Sequence, residues 1–255
     1  MTTDNLEEYQ NPLQYDKEHV HYHEDITYLT NWAKKSKGPI IDLACGTGRA
    51  SLPLARTGRR LLGVDLHSGM LERAKEKALA ENLDISFLEQ DCTMLDLGVK
   101  SDFIFMVGNS FQHFLTNEAQ DNLLNAVQRH LVPGGQFLFN TRFPSEDELL
   151  STNSEEPGFT YKDGSLSVHV SYISQYDALS QVQHNITIRK YFSDAGDLVE
   201  EKRSTIDLRF VFPLEMERLL EKHGLTIEGV YQDWKETPLT ANASSMIYLC
   251  KLSCS

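Results

Sequence analysis

The chain has 255 residues, and its 24 Lys and Arg against 37 Asp and Glu give a formal charge of −13. With 40% hydrophobic and 24% charged residues it has the composition of a globular protein that is long enough to bury a core. Nucleic acid is bound through Lys and Arg, and the densest basic runs are only Lys34-Lys35-Ser36-Lys37 and Arg59-Arg60. We therefore expect no nucleic-acid partner, whereas a small-molecule partner stays open.

The first residues, MTTDNLEEYQ, are acidic and polar and do not follow the pattern of a signal peptide. No apolar run approaches the roughly 18 to 20 residues that a membrane span requires. The cysteines Cys45, Cys92, Cys250 and Cys254 form no CxxC pair and are expected to be reduced thiols. These features predict a cytoplasmic protein with no membrane partner.

The first half of the chain alternates helices and short apolar strands. Helical spacing predicts a helix over 17–35, which Gly38-Pro39 ends. Predicted strands at 39–43, 60–64, 85–88, 103–107 and 136–140 then alternate with helices at 49–57, 68–82 and from Thr116 onward. Such alternation is typical of a parallel sheet with helices on both faces.

After Pro144 the apolar residues recur with period two, at 166–170, 186–188 and 206–210. This pattern predicts an antiparallel meander of three strands, with turns near Asp177 and Asp194. A helix over 214–223 and strands over 226–230 and 246–252 follow. The predicted architecture is α/β: a Rossmann-like, doubly wound, seven-stranded and mostly parallel sheet with a small antiparallel β lobe.

The turn after the first strand, Asp42-Leu43-Ala44-Cys45-Gly46-Thr47-Gly48, indicates a ligand site. Glycines let a ligand approach the backbone closely, and open α/β sheets bind ligands where a strand's carboxyl end leads into a helix. A dinucleotide fingerprint requires G-x-G-x-x-G or G-x-G-x-x-A, but Ser51 stands at the third position. The spacing therefore argues against NAD.

The next two strand ends carry carboxylates. Asp65 ends the second strand, where a carboxylate can accept both hydroxyls of an adenosine ribose. After the third strand, Asp91 and the backbone amide of Cys92 can hold an adenine amino group and ring nitrogen. For Asp42 or Asp91 alone, an acidic turn or cap residue is the competing interpretation, but the ordered set favours an adenosine-containing ligand.

At this point the sequence resembles the class I S-adenosylmethionine (SAM)-dependent methyltransferases. The matching motifs are DLACGTGR (42–49), GVDLHSGML (63–71), EQDCTMLDL (89–97), FIFMVGNSFQHF (103–114) and LVPGGQFLF (131–139). The resemblance runs from about Tyr15 to Leu252 and implies SAM as cofactor and S-adenosylhomocysteine as product. It also implies the cofactor-binding residues Tyr15, Asp42, Ala44, Gly46, Gly48, Asp65, Asp91, Cys92 and Val107.

In this resemblance the backbone of 44–48 lies against the methionine moiety, and Asp42 is oriented toward its amino end. Tyr15, with Tyr9 and Tyr22 as further candidates, is a lid residue over that moiety, although plain packing is the alternative for all three. Many family members have Gly where Ala44 stands. The expected domains are an N-terminal helical lid (1–36), the SAM-binding methyltransferase domain (37–150 and 213–255) and an inserted antiparallel lobe over the substrate site (155–212).

The stretch from Gly108 to His113 resembles the motif of glycine N-methyltransferase, and His113 also matches a histidine of aminosugar N,N-dimethyltransferases. The N-terminal run Tyr15-Asp16-Lys17-Glu18-His19 resembles the lid of the second group. These resemblances imply methyl transfer to a small-molecule acceptor, at an amine nitrogen. The alternatives are a small-molecule O-methyltransferase and a catalytically silent protein that binds SAM or S-adenosylhomocysteine.

Three residues are the candidates for the acceptor side: Asn109, His113 and Arg142. His113 is the candidate catalytic residue, because an imidazole can take the amine proton; a cofactor or structural contact is the alternative. Arg142 is similar in place to the arginine that holds the substrate carboxylate in glycine N-methyltransferase, and with Asn109 it can bind a carboxylate bidentately, which gives the hypothesis of an acidic or zwitterionic acceptor. A surface salt bridge is the alternative for Arg142.

The run His19, His21 and His23 invites a metal interpretation, but on a helix only the first and last share a face. Asn109 and Asn140 stand where magnesium-dependent relatives of the catechol type have acidic ligands. We therefore predict no metal. The meander can cover its own site or pair with another chain, so a homodimer stays open.

Overall fold

The computed structural model describes residues 5–150 and 154–253; Cys254 lies outside the described residues. In chain order the elements are α1 (Pro12–His19), α2 (Ile26–Lys35), β1 (Ile40–Leu43), α3 (Ser51–Ala55), β2 (Leu61–Asp65), α4 (Ser68–Ala80), β3 (Ile85–Glu89), β4 (Ser101–Met106), α5 (Asn117–His130), β5 (Leu131–Arg142), β6 (Glu156–Asp163), β7 (Leu166–Asp177), β8 (Val182–Phe192), β9 (Leu198–Arg209), α6 (Pro213–Lys222), β10 (Leu225–Tyr231) and β11 (Ser245–Leu252). Along the described ranges, no helix is long and apolar enough to cross a membrane.

The central sheet has seven strands in the order β10-β11-β5-β4-β1-β2-β3. The pairs among β1 to β5 are parallel, whereas β11 is antiparallel to both β5 and β10. This arrangement confirms the predicted doubly wound, mostly parallel sheet. The strand order reverses between β1 and β4, and the carboxyl ends of strands at such a reversal form a crevice that binds ligands.

Helices bury both faces of the sheet, so its strands are apolar on both sides. On one face α5 and α6 contribute Leu123, Val127 and Leu220 to a core around Phe139. On the other face α2 and α3 pack Leu29 and Leu54 against Phe105 and Leu138. This double coverage explains the short continuous apolar runs in the sequence.

The lobe is an antiparallel sheet in the order β6-β7-β8-β9. The sequence pattern predicted three of these strands and missed β6, because its sequence EPGFTYKD is mostly exposed and has Pro157 and Gly158 near its start in place of alternating apolar residues. Strands β7 to β9 are longer than the apolar stretches that predicted them, since their outer ends carry polar side chains.

The single helix predicted over 17–35 is wrong: two helices, α1 and α2, replace it. The physical reason lies in the connection between them. Buried Asp25 receives two hydrogen bonds from Arg49, at 2.7 and 2.6 Å. Arg49 also donates to the carbonyl of Tyr22 and lies 4.7 Å from the centre of its ring. These contacts fix the connection between α1 and α2 to Arg49, the residue that directly follows the glycine turn.

Candidate cofactor and acceptor site

The glycine turn follows β1 and has an unusual backbone. Ala44, Gly46 and Gly48 have φ angles of 53°, 56° and 79°, a left-handed conformation that glycine adopts freely and that costs alanine on the order of 1 kcal/mol. A Cβ at Gly48 would lie 2.5 Å from Cδ1 of Leu52. Gly48 is therefore required for close packing of α3, whereas Ala44 and Gly46 line a cavity at the sheet edge.

Asp65, at the end of β2, ties that strand to the turn. Its Oδ2 accepts the amide of Gly46 at 2.7 Å and its Oδ1 accepts the amide of His67 at 2.9 Å. Burial raises the pKa of this carboxyl group. Each carboxylate oxygen has a second lone pair, so Asp65 can still accept two hydroxyl groups from a ligand in the cavity that it lines.

Asp91 and Cys92 follow β3 and line the same cavity. Oδ1 of Asp91 accepts both the amide and the hydroxyl of Thr93, each at 2.8 Å, and so caps the short 3-10 helix Cys92–Met94. Asp91 can therefore both cap this helix and contact a ligand, because capping holds its side chain at the cavity wall.

The cavity brings together most of the predicted cofactor residues, namely Tyr15, Ala44, Gly46, Asp65, Asp91 and Cys92, and it includes His113. Its apolar lining was not predicted; Leu6, Leu66, Met70 and Phe114 complete the wall. Apolar side chains carry no motif, and only the three-dimensional fold separates a cavity-lining residue from a core residue.

The N-terminal segment closes the cavity with aromatic rings. The hydroxyl of Tyr9, in the short 3-10 helix Glu7–Tyr9, shares a hydrogen bond with Nε2 of His113 at 2.8 Å. The rings of Tyr9 and Tyr15 lie 5.8 Å apart, and His19 stacks on Tyr15 at 4.1 Å. Tyr22 packs instead against Arg49 and accepts a hydrogen bond from Trp234 at 3.1 Å, away from the cavity lining.

Asp16, next to Tyr15, anchors α1 to the glycine turn and to α4. It accepts hydrogen bonds from Thr47 Oγ1 at 2.6 Å, from Arg73 at 2.9 Å and from Lys77 at 3.0 Å. The N-terminal segment is thus attached both to the glycine turn and to α4. Sequence reasoning noticed Asp16 only as part of a resemblance, because its partners are far away in the chain.

His113 is 8% exposed and ends the short 3-10 helix Ser110–His113. Burial lowers the pKa of His113 to about 4, so the imidazole is neutral at neutral pH. Among the described residues, its Nδ1 has no hydrogen-bond partner. A buried, neutral ring with one unsatisfied nitrogen can take a further hydrogen bond from a ligand.

Three predicted cofactor residues lie outside the cavity lining. Asp42 is buried and accepts the hydroxyl of Ser51 at 2.5 Å, and burial raises its pKa to about 7. Val107 belongs to the core on the α2 side of the sheet, and its carbonyl accepts the Ser110 hydroxyl at 2.8 Å. Gly48, the third, packs against α3 as described above.

Asn109 and Arg142 already have protein partners. Asn140 donates to Oδ1 of Asn109 at 2.7 Å, and Arg142 forms an ion pair with Glu148. The guanidinium of Arg142 also lies 5.9 Å from the ring centre of Phe210. The ion pair removes the free positive charge on which the hypothesis of an acidic acceptor rested.

The histidine run is split by the end of α1. Nδ1 of His19 bonds to the carbonyl of Tyr15 at 2.9 Å, whereas His21 and His23 lie in the connection to α2. Within the part of the chain that the structure describes, no three His, Cys, Asp or Glu side chains are grouped to hold a metal ion. Cys45, Cys92 and Cys250 are buried free thiols.

Comparison with known proteins agrees with this geometry. Residues 40–135 match the family model of a methyltransferase domain. YqeM of Bacillus subtilis (strain 168), which is named as a methyltransferase with no acceptor given, is 28% identical over 236 residues, covering 91% of this chain and 92% of YqeM.

Two solved structures share the fold. A SAM-dependent methyltransferase of Clostridium acetobutylicum is 21% identical, covers 95% of this chain and 97% of its own, and superposes with a TM-score of 0.78. SAM-bound CalS10, an amino pentose methyltransferase of Micromonospora echinaspora, is 15% identical over 94% and 95% of the two chains, with a TM-score of 0.73.

The protein is therefore a methyltransferase that has the fold of SAM-dependent methyltransferases. Its cofactor is SAM.

Proposed function

We propose that the protein transfers the methyl group of SAM to an amine nitrogen of a small-molecule acceptor. The observation that carries this proposal is the hydrogen-bonded pair of Tyr9 and His113 in the same cavity as Asp65 and Asp91. A buried neutral imidazole beside the cofactor residues suits an uncharged amine nucleophile. The similarity of the fold to that of CalS10, an amino pentose methyltransferase, also supports a small amine as the acceptor.

The cavity residues match the chemistry of the cofactor. We assign the backbone at Ala44 and Gly46 to the methionine moiety, the two free lone pairs of Asp65 to the ribose hydroxyls, and Asp91 with the Cys92 amide to the adenine. Tyr15 covers the methionine group. The glycine-turn conformation leaves this wall without bulky side chains at Ala44 and Gly46.

SAM supplies an activated methyl group on a sulfonium, so the protein has to orient the acceptor and exclude water. An imidazole whose pKa is about 4 holds a proton poorly at neutral pH. We therefore assign His113 to accept a hydrogen bond from the amine N–H and orient its lone pair. Tyr9 fixes the ring from the other side, and the lid keeps solvent out.

We assign three functional parts to the chain: the lid within 1–36, the SAM-binding domain over 37–150 and 213–255, and the lobe within 155–212, which covers the acceptor. The acceptor enters between the lobe and the end of β5, past Asn109 and Arg142. This division rests on the separate sheets and on the N-terminal segment, which contacts both of them.

Two measurements test the proposed function. Isothermal titration should show binding of SAM and S-adenosylhomocysteine but not of NAD. Incubation of the protein and methyl-labelled SAM with a metabolite extract should then give a labelled small molecule, whose mass fragmentation locates the methyl group on nitrogen. A label on oxygen supports the O-methyltransferase alternative, and SAM binding without any transfer supports the silent binding protein.

A further inference from the structure

A second cavity, of about 640 Å³, lies between the end of β5 and the lobe. Seven residues of β7 to β9 form one of its walls, and Glu156 of β6 adds a carboxylate; the seven are Tyr172, Ser174, Gln183, Asn185, Thr187, Ile206 and Leu208. Strand register places Ser174 beside Asn185, Asn185 beside Ile206 and Gln183 beside Leu208. One face of the lobe sheet therefore presents uncharged amide and hydroxyl groups next to two aliphatic side chains.

Gln183 and Thr187 are buried polar residues, with exposures of 3% and 5%. Nε2 of Gln183 donates to the carbonyl of Glu148 at 3.2 Å, and the amide of Gln183 and the hydroxyl of Thr187 both belong to side chains that line the cavity. Buried polar groups are generally satisfied by protein, water or ligand. These two groups can therefore bind hydroxyl or amide groups of a molecule in the cavity.

The opposite wall carries Arg142 and Glu148, and Glu148 is held in place on three sides. Its Oε2 accepts the amide of Ser145 at 2.9 Å, and its own amide donates to Oγ of Ser145 at 3.4 Å, a reciprocal pair of the capping-box type. Gln183 holds its carbonyl, and its other carboxylate oxygen pairs with Arg142. The carboxylate is thus pre-positioned to neutralise the guanidinium.

We propose that Glu148 is a specificity-determining residue that selects acceptors without a carboxylate. The cavity then takes amines whose body is uncharged and carries several hydrogen-bonding groups. A carboxylate would have to compete with Glu148 for Arg142, and Glu156 adds a second negative charge to the lining. Rejection by a fixed like charge is a general source of specificity. This inference rests on the proposed function and replaces the acidic acceptor that the sequence suggested.

The experiment compares wild-type protein with Glu148→Gln, which keeps the shape of the side chain and frees the charge of Arg142. Glu146→Gln is the matched control, because Glu146 is exposed in the same segment and undergoes the same change in charge. Each protein is incubated with methyl-labelled SAM and one metabolite extract, and the labelled products are separated by anion exchange at about pH 11, where aliphatic amines are uncharged and only carboxylate-bearing products are negative. We expect the wild-type and control products to pass through unretained. Glu148→Gln should raise the retained, carboxylate-bearing fraction by about tenfold.

Retention of the main wild-type products on the exchanger overturns the proposal, as does an unchanged product profile for Glu148→Gln. Glu148→Asp provides a second test if Glu148→Gln does not fold, because it keeps both charges but shortens the side chain that reaches Arg142; it should raise the retained fraction by a smaller factor, and no rise contradicts the proposal. SAM binding with no labelled product from any variant contradicts the proposed function itself, and the specificity role falls with it.

Discussion

Arg189 of β8 donates two hydrogen bonds to Glu18 of α1, at 2.7 and 2.9 Å, and both side chains are only 5% exposed. The same guanidinium binds Glu8 at 2.7 Å and Ser204 at 2.7 Å. One lobe residue thus holds both α1 and the short 3-10 helix Glu7–Tyr9. Because Asp16 ties α1 to the glycine turn and to α4, this helix joins the lobe to the part of the chain that forms the central sheet.

Arg189→Met should loosen the lid, since it leaves Glu8 and Glu18 without their counter-charge. Removing one partner of a buried pair costs about 3–5 kcal/mol, so we expect a clear drop in melting temperature and faster release of S-adenosylhomocysteine. Arg203→Met is the control, because Arg203 pairs with Glu201 at an exposed site, where ion pairs contribute about 0–1 kcal/mol. Equal effects of the two substitutions would contradict the role of Arg189.

Asp65→Ala should weaken SAM binding by at least about tenfold, because it removes charge-assisted hydrogen bonds to the ribose and the bond to the Gly46 amide. Glu89→Ala is a matched control: Glu89 ends β3, is the register partner of Asp65 and is exposed. Isothermal titration of both variants measures the difference. SAM affinity that falls equally in both variants is inconsistent with the assignment of Asp65.

Asp42 should make stability depend on pH. Burial raises its pKa from an ordinary 3.8 to about 7, so its stabilising contribution is complete below the ordinary value and is lost as pH rises from about 4 to about 7. Asp42→Asn removes this titration. Relative to the wild type, the free energy of unfolding of the variant should therefore increase between pH 5 and pH 8 by on the order of 1 kcal/mol or more. Melting temperatures of both proteins across this range measure the change. Exposed Asp84→Asn should show no such trend, and a constant difference for Asp42→Asn would contradict the expectation.

Local sequence patterns predicted the parts of this fold that depend on local forces. Apolar runs predicted strands β1 to β5, and the glycine turn and Asp65 were found from residue type and position. Strand β6 was missed because its partner β7, rather than its own apolar pattern, determines its pairing. The break between α1 and α2 was missed because Arg49, far along the chain, holds Asp25.

The acceptor side was harder to predict than the cofactor side. An unpaired Arg142 would be free to bind a carboxylate, whereas an Arg142 that Glu148 neutralises is not. The spacing of these two residues in the sequence does not show whether the intervening loop brings them together. The contact of Tyr9 with His113 likewise joins two segments that share no motif. The proposed cofactor residues follow strand ends and can be found in chain order, whereas the proposed acceptor residues come from loops and a second sheet.

The pair of Tyr9 and His113 gives the sharpest test of the chemistry. Because burial lowers the pKa of His113 to about 4, the imidazole stays neutral across the range from pH 6 to 9. The pH dependence of kcat/KM should then follow deprotonation of the acceptor amine, with no inflection near pH 6.5, the ordinary imidazole value. Tyr9→Phe removes one hydrogen bond to the ring and should lower kcat about three- to tenfold while SAM affinity stays within about twofold. Tyr28→Phe, which loses a hydroxyl bonded to Glu236, should leave kcat unchanged. An inflection near pH 6.5 that disappears in His113→Asn would show instead that His113 acts as the base.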